Sequence, residues 1–570
     1  MPSLTHWPPD RLEPPVTERG KHPWMPGAGI LVLALLASVS GITNQFAQDD
    51  FGFIFRNAAV HDLSHGLRFF LEPYVGPPRP PELYRPLALL SFAVQWAVGG
   101  GAPVIFRLVS YLLYAVTCLA VFRLARAELS AATAFAAAAI FDVHPLHVEA
   151  VALAVNQGEL WVALLSCVAV YRYVAARRAG PLRSGTVLEI AALYFVACLF
   201  KEHAVVLPGL LLAAELILIP GRDGVIGRAR ATGPLYLVLL LAGLSFLAIR
   251  TAVLGGDLRG ALMAEAIAPQ NTGERALTML TVVPHWFRLL FWPAHLQGDY
   301  SPSEIVARYT WGADATLGLL LIIGAGAAAV AARRRAPVIS LGIAWMAVAL
   351  FPVHNVLVPT GVVLAERTLF LASIGAVLVL GGLGALLVER GSGATRVLLA
   401  SATGLLLVLG AYRSGIRHPD WSDMFNYWYV TANRDAPRSF RAHHALGEMY
   451  LLADAYGLAE QEFRMAIALA PPNESNVYLA YADLLRRRGF CEPAAGLYRK
   501  SLNVNPENHS VRMSFIACLI QTGRYPDALQ ELEKGVPLGE HTATWLRLRE
   551  MADSGRRAGA PPGSIRVPLP

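Results

Sequence analysis

The chain has 570 residues, of which 55% are hydrophobic and only 16% charged, and its mean hydropathy is +0.45. Soluble globular proteins carry about 25% charged residues, so these figures exclude a single soluble enzyme and a disordered scaffold. They point to a polytopic membrane protein with soluble mass attached. No zinc or nucleic-acid motif accompanies the net charge of +7, which reads instead as basic cytoplasmic loops and no nucleic-acid partner.

In chain order, residues 1–26 are Pro-rich and polar and predict a disordered cytoplasmic tail. The apolar run from Ala28 to Phe46 is about the 20 residues a bilayer requires. It lacks a small-residue cleavage site, so it predicts a retained first helix and not a signal peptide. Further apolar runs lie near 103–122, 131–149, 156–175, 186–200, 204–219, 234–250, 313–332, 338–353, 367–388 and 395–412. The expectation is an all-α bundle of about eleven membrane helices over 27–412. Segments 86–99 and 276–292 are apolar but carry Gln, Arg, His and Trp, which predicts interfacial or re-entrant helices.

Basic residues cluster at every second connection: Arg123/Arg126, Arg172/Arg177/Arg178/Arg183, Arg222/Arg228/Arg230, Arg333-Arg334-Arg335 and Arg390/Arg396. The positive-inside rule makes those connections cytoplasmic, together with the N-terminus and its Arg11, Arg19 and Lys21. The opposite connections, 47–102, 143–156, 201–203, 251–312 and 354–366, are then extracytoplasmic.

Beyond a linker or half repeat at 413–439, the sequence repeats. Leu446-Gly447, Tyr450, Ala459, Phe463, Ala466 and Pro471 give one tetratricopeptide register. Tyr478, Tyr481-Ala482, Leu485, Gly489, Ala494, Tyr498 and Pro506 give a second. Phe515, Leu519, Gly523, Ala528 and Leu532 give a weaker third. Three repeats are therefore expected over 440–545, with a disordered tail at 546–570. Cys491 and Cys518 fall in this part and could pair if it is extracytoplasmic, though nothing in their spacing requires it. Cys118, Cys167 and Cys198 read as small core residues.

The polar residues of the outer connections carry the candidate chemistry. Asp49-Asp50 follows the first helix. Two adjacent carboxylates beside a bilayer can divide into a base and a partner acting on a substrate hydroxyl, or stand as a solvated helix-end pair. Arg85, in Tyr84-Arg85-Pro86-Leu87, offers a planar fork to a phosphate or an interfacial anchor. His144-Pro145-Leu146-His147-Val148-Glu149 fits no standard zinc spacing, because Pro145 breaks the helical face. It reads as polar lining of a cavity, and no metal site is expected. Lys201-Glu202-His203 interrupts an apolar stretch, and Glu366-Arg367 opens a helix. Lys201 and Arg367 are phosphate candidates, or members of self-satisfied ion pairs. Asp299, His354 and Asn355 are weaker candidates or plain loop residues.

In order and spacing these pieces resemble the transmembrane and tetratricopeptide-containing protein O-mannosyltransferases and their bacterial relatives, of the GT-C glycosyltransferase superfamily. The resemblance rests on Asp49-Asp50, Tyr84-Arg85-Pro86-Leu87, His144 to Val151, Lys201-Glu202, Glu366-Arg367-Thr368-Leu369-Phe370-Leu371 and the trailing repeats. It implies an inverting transfer from a polyprenyl-phosphate sugar to an acceptor hydroxyl of a protein or glycan. Asp49 or Asp50 would be the base, with Asp49 favoured. Arg85, Lys201 and Arg367 would bind the leaving phosphate. His144, His147, Glu149, Glu202 and Glu366 would line the pocket. No cofactor or divalent cation is implied beyond the lipid-linked donor, and the repeat groove would hold the acceptor or a partner protein.

The high Ala, Arg and Gly content suggests a GC-rich bacterium, an inner-membrane location, a periplasmic repeat domain and undecaprenyl phosphate as carrier. Three readings compete: an oligosaccharide polymerase or ligase, a membrane-anchored repeat scaffold without catalysis, and a transporter. The last finds no inverted repeat to support it.

Overall fold

A computed structural model describes residues 25–75, 82–220, 224–256, 263–264, 266–300, 302–535, 542–565 and 567. The expected N-terminal tail to residue 24, with its Arg11, Arg19 and Lys21, lies outside them, as does Arg222. The described chain is helical throughout; its β structure is a single isolated bridge between Val75 and Glu82. The chain divides into two compact units, one of residues 1–296 and 308–427, the other of 297–307 and 428–570.

The first unit holds the long apolar helices. Without water to satisfy backbone groups, an apolar run in a bilayer must close its hydrogen bonds within itself. Six described helices are long and apolar enough to cross: Pro103–Arg126, Ala154–Ala179, Gly224–Val253, Ala313–Ala332, Glu366–Arg390 and Gly393–Trp421. The pair Ala131–Asp142 and Pro145–Ala152, bent by 44°, makes a seventh if it is one span. These seven coincide with seven of the eleven expected runs.

The other four expected runs are shorter helices: Met25–Ser38, Ser184–Phe200, Leu207–Leu218 and Pro337–Leu350. A full crossing needs about 30 Å of helix, and each of these falls short of it. Helix Ser184–Phe200 stops at the extended Lys201, and a 3-10 turn over Glu202–Val206 follows. The first helix gives way to a 3-10 turn at Val39–Gly41. The two segments expected at the interface are helices Pro86–Gly99 and Thr272–Phe291. The first has Pro at its start, where a missing N–H costs nothing. The second is opened by a capping box of Asn271 and Glu274.

Helices Pro103–Arg126, Ala154–Ala179 and Glu366–Arg390 bury most of their apolar surface inside the unit. Gly224–Val253, Ala313–Ala332 and Gly393–Trp421 turn most of theirs outward, as helices facing lipid do. Two buried helices meet backbone to backbone at Gly342 and Gly375. A methyl group on either would strike the other's carbonyl oxygen, and one on Gly375 would also lie 2.8 Å from Met346 Cγ. Gly375→Ala should therefore cost about 1–3 kcal/mol or more from overpacking. A lowered unfolding temperature of the detergent-solubilised protein would show it; an unchanged one would mean that the helices are free to separate.

The second unit is a run of helices, Phe440–Leu452, Tyr456–Leu469, Asn476–Arg487, Cys491–Val504, His509–Gln521, Tyr525–Glu533 and Thr542–Ala558, each packed on the next. Its core is built from Ala459, Phe463, Ala494, Tyr498, Phe515, Leu519 and Ala528. These are the positions that define the repeat registers in the sequence. Residues 546–558, expected as the start of a disordered tail, instead continue the helix Thr542–Ala558. Trp545, Leu548 and Ala552 form a buried stripe of one helix, and their helical spacing outweighs the Gly/Pro-rich composition that follows. Segment 297–307 belongs to this unit. Asp299 accepts from Ser439 Oγ at 2.6 Å and pairs with Arg441, Ser303 donates to the Leu469 carbonyl, and Glu304 accepts from the Arg438 N–H.

In the same unit the His443 Nδ1 lies 2.6 Å from Glu462, and its Nε2 faces the Pro437 carbonyl. Burial disfavours the imidazolium, but Glu462 and Pro437 outweigh it and raise the pKa above 6.5. Stability from this pair should be fully present below about pH 6.5 and be lost as pH rises through the raised folded value. Unfolding temperatures of wild type and His443→Gln should thus converge as pH rises from 6 to about 8; a constant difference would show that the imidazole does not titrate there.

Candidate functional site

Where the chain leaves the first helix it turns sharply. Gln48 adopts a left-handed conformation (φ 47°), and a helical turn starts at Asp49 and continues as a π-turn over Phe51–Phe55. Consecutive residues on such a turn point about 100° apart, so the two carboxylates meet different surroundings.

Asp50 is fully buried. Its Oδ2 accepts from Arg107 Nη2 at 3.0 Å and the Ala154 N–H at 3.1 Å, and its Oδ1 accepts from the Val155 N–H at 2.9 Å. Burial pushes its carboxyl up from the ordinary value, against the pull of Arg107 and the two amides. Arg107 is itself fully buried and also donates to the Gln45 and Ala152 carbonyls. One guanidinium thus ties the segment before Asp50 to the break between helices 148–152 and 157–179. Asp49 is half-buried and, among the described residues, makes no hydrogen bond or ion pair. It lies within electrostatic range of Arg367 and Tyr74.

Three cations sit in the same region, each held by a carboxylate. Arg85 makes a bidentate pair with Glu202, both contacts 2.8 Å, and its guanidinium lies 5.3 Å from the Tyr74 ring centroid. Lys201 Nζ lies 2.9 Å from Glu159 Oε1. Arg367 pairs with Glu149 through Nη1, and its own backbone N–H donates to the same carboxylate at 2.8 Å. Lys201 is within electrostatic range of both arginines. The cation side chains keep 16%, 14% and 18% exposure, so each is anchored yet partly exposed. Burial opposes the charge on all of them. For Arg85 the Glu202 carboxylate prevails and holds the pKa above its ordinary value. At Lys201 burial prevails over Glu159, so its pKa is lowered. Burial also disfavours the Glu202 carboxylate, but Arg85 brings it down to about 2, so this pair stays ionised.

Asp49, Arg85, Glu149, Lys201, Glu202 and Arg367 are therefore brought together. His144, His147 and Glu366 lie deeper. His144 contacts the Leu290 carbonyl, and His147 lies between Tyr114 and Ser373. Glu366 is fully buried against Arg417. Asn355 binds its own loop. No group of three or more His, Cys, Asp or Glu among the described residues has the geometry to hold a metal ion. Sequence reasoning missed Arg107, Glu159 and Tyr74. The first two are charges inside apolar helices, a pattern that flags function or a buried partner.

A bundle of long apolar helices with charged groups gathered near helix ends defines a multi-pass membrane protein. No family model matches the chain. It is, however, a distant homologue of the TMTC protein O-mannosyl-transferases. It is 22% identical to protein O-mannosyl-transferase TMTC3 of Mus musculus over 593 residues, 88% of this chain and 63% of that protein. With the Tmtc1 protein of Drosophila melanogaster it shares 25% over 538 residues, 78% of this chain and 61% of that one. A stretch of 211 residues, 35% of the chain, is 33% identical to Drosophila Tmtc2 and covers 22% of it. The chain thus spans less than two thirds of the length of the curated relatives it matches.

Proposed function

We propose that this chain is a membrane glycosyltransferase that moves a sugar from a polyprenyl-phosphate donor to an acceptor hydroxyl on the extracytoplasmic face. The observation that carries the reading is one unpaired carboxylate, Asp49, in the field of Arg367, which shares its region with two further partly exposed cations. In this reading Asp49 takes the proton of the acceptor hydroxyl as its oxygen attacks the anomeric carbon. The bond from that carbon to the phosphate oxygen breaks, and its electron pair stays on the phosphate. Arg85, Lys201 and Arg367 stabilise the charge that grows there. Glu149, Glu159 and Glu202 hold the cations in place. Asp50 positions the turn through Arg107 and takes no proton. Distant homology to O-mannosyl-transferases supports the transfer chemistry and a lipid-linked mannose donor.

Connectivity supports an extracytoplasmic C-terminal unit. Helix Ala313–Ala332 ends at Arg333-Arg334-Arg335, which the positive-inside rule makes cytoplasmic. The connection before it, which includes 297–307, is then extracytoplasmic, and that segment is part of the C-terminal unit. The helix pairs of that unit read as three tetratricopeptide repeats presenting a protein acceptor.

The test is transfer in vitro. Purified full-length protein is given a panel of labelled polyprenyl-phosphate hexoses and Ser/Thr-rich peptides. Label on peptide with the anomeric configuration inverted is the expected result. No transfer from any donor to peptide or to glycan acceptor, by protein that is folded, would overturn the reading.

A further inference from the structure

We propose that Cys491 and Cys518 form a modification site that a thiol–disulfide oxidant closes into an intramolecular disulfide. Their sulfurs lie 3.0 Å apart, on neighbouring helices Cys491–Val504 and His509–Gln521. All five cysteines are free and buried, and the other three, Cys118, Cys167 and Cys198, belong to the membrane unit. Bond formation needs the two sulfurs to approach to about 2.05 Å, a movement of about 1 Å that side-chain torsions can supply.

The surroundings assign the two thiols different parts. Cys491 is the first residue of its helix, and its sulfur lies 2.6 Å from Gln521 Oε1. Donation by the Cys518 S–H and the nearby Arg486 charge, acting against burial, favour its thiolate, while the same contact and burial raise the Cys518 pKa. Cys491 is 5% exposed and Cys518 is 0% exposed, so an oxidant meets Cys491 first. The Cys491 thiolate attacks one sulfur of a disulfide R–S–S–R and expels RS⁻. Cys518 then gives up its proton, and its sulfur attacks Cys491 Sγ, releasing the second RS⁻. Two electrons pass from the protein thiols to the oxidant, which leaves as two thiols.

The link spans 27 residues of chain and fastens one helix pair to the next. Restricting the unfolded chain in this way should raise the unfolding temperature by roughly 5–10 °C. The inference does not rest on glycosyl transfer; either can fail alone.

Full-length protein in detergent is incubated with oxidised glutathione, denatured, and labelled with a maleimide polymer that counts free thiols. The expected result is a loss of two of the five labels, reversed by dithiothreitol, and a cross-linked peptide containing both cysteines that is two hydrogens lighter. Cys491→Ser and Cys518→Ser proteins should each keep their remaining thiol free of any intramolecular link. Five free thiols after oxidation, or a stable glutathione adduct on Cys491 with Cys518 still free, would overturn the proposal.

Discussion

Asp49→Asn is expected to lower sugar transfer by about 10²- to 10⁴-fold, the range over which a positioned general base acts, with little change in unfolding temperature. Asp49 is half-buried and has no hydrogen-bonding partner among the described residues. An amide of the same shape therefore breaks no hydrogen bond or ion pair, and only the longer-range attraction to Arg367 is lost. Two neighbouring carboxylates are not free to take the acceptor proton: Glu149 is committed to Arg367, and Glu202 to Arg85. The loss should fall on kcat, because the charge acts as the proton moves. Asp50→Asn should behave in the opposite way. It replaces a carboxylate that accepts three hydrogen bonds, so protein yield and unfolding temperature should drop, and activity should fall only as far as folded protein does. Transfer by folded Asp49→Asn protein at the wild-type rate would remove Asp49 from the chemistry. Inactivity of Asp50→Asn at full stability would exchange the two assignments.

The two aspartates also mark where sequence reasoning stops. Asp49-Asp50, Arg85, Lys201-Glu202 and Glu366-Arg367 stand out because each is a short charged string at the edge of an apolar run. Such contrast is local and survives in one dimension. Which carboxylate of the pair turns inward is decided by Arg107 and by the amides of Ala154 and Val155, which are 57, 104 and 105 residues away. The partner of Lys201 is Glu159, in the first turn of another helix. Pairings of that kind are settled by packing, and no spacing rule contains them. The helical architecture was legible from hydropathy. Helix lengths were less so: the apolar run that extends to Phe46 passes without a charged residue through the 3-10 turn at Val39–Gly41, where the hydrogen bonding changes.

The second large effect concerns Arg107. Its guanidinium serves three acceptors that lie on segments far apart in sequence: Gln45 and Asp50 on one, Ala152 on the other. Removing one member of a buried ion pair typically costs about 3–5 kcal/mol, because the survivor stays buried without compensation. Arg107→Met should reach that range, and Arg107→Lys should recover only part of it, since one ammonium cannot reproduce the planar fork. Asp50 can escape some of the penalty by taking a proton. Burial already lifts its folded pKa above 3.8, and loss of the guanidinium would lift it further. In the window between 3.8 and that raised value the folded state binds the extra proton. The stability deficit of Arg107→Met should therefore shrink as pH falls from neutral toward that window. Adding Asp50→Asn should relieve the same deficit at neutral pH, so the double mutant should be more stable than the sum of the two single losses predicts. Thermal unfolding of the four proteins in detergent at several pH values measures both effects. Strict additivity, with a deficit independent of pH, would mean that Arg107 and Asp50 are not coupled, and the turn that presents Asp49 would then need another support.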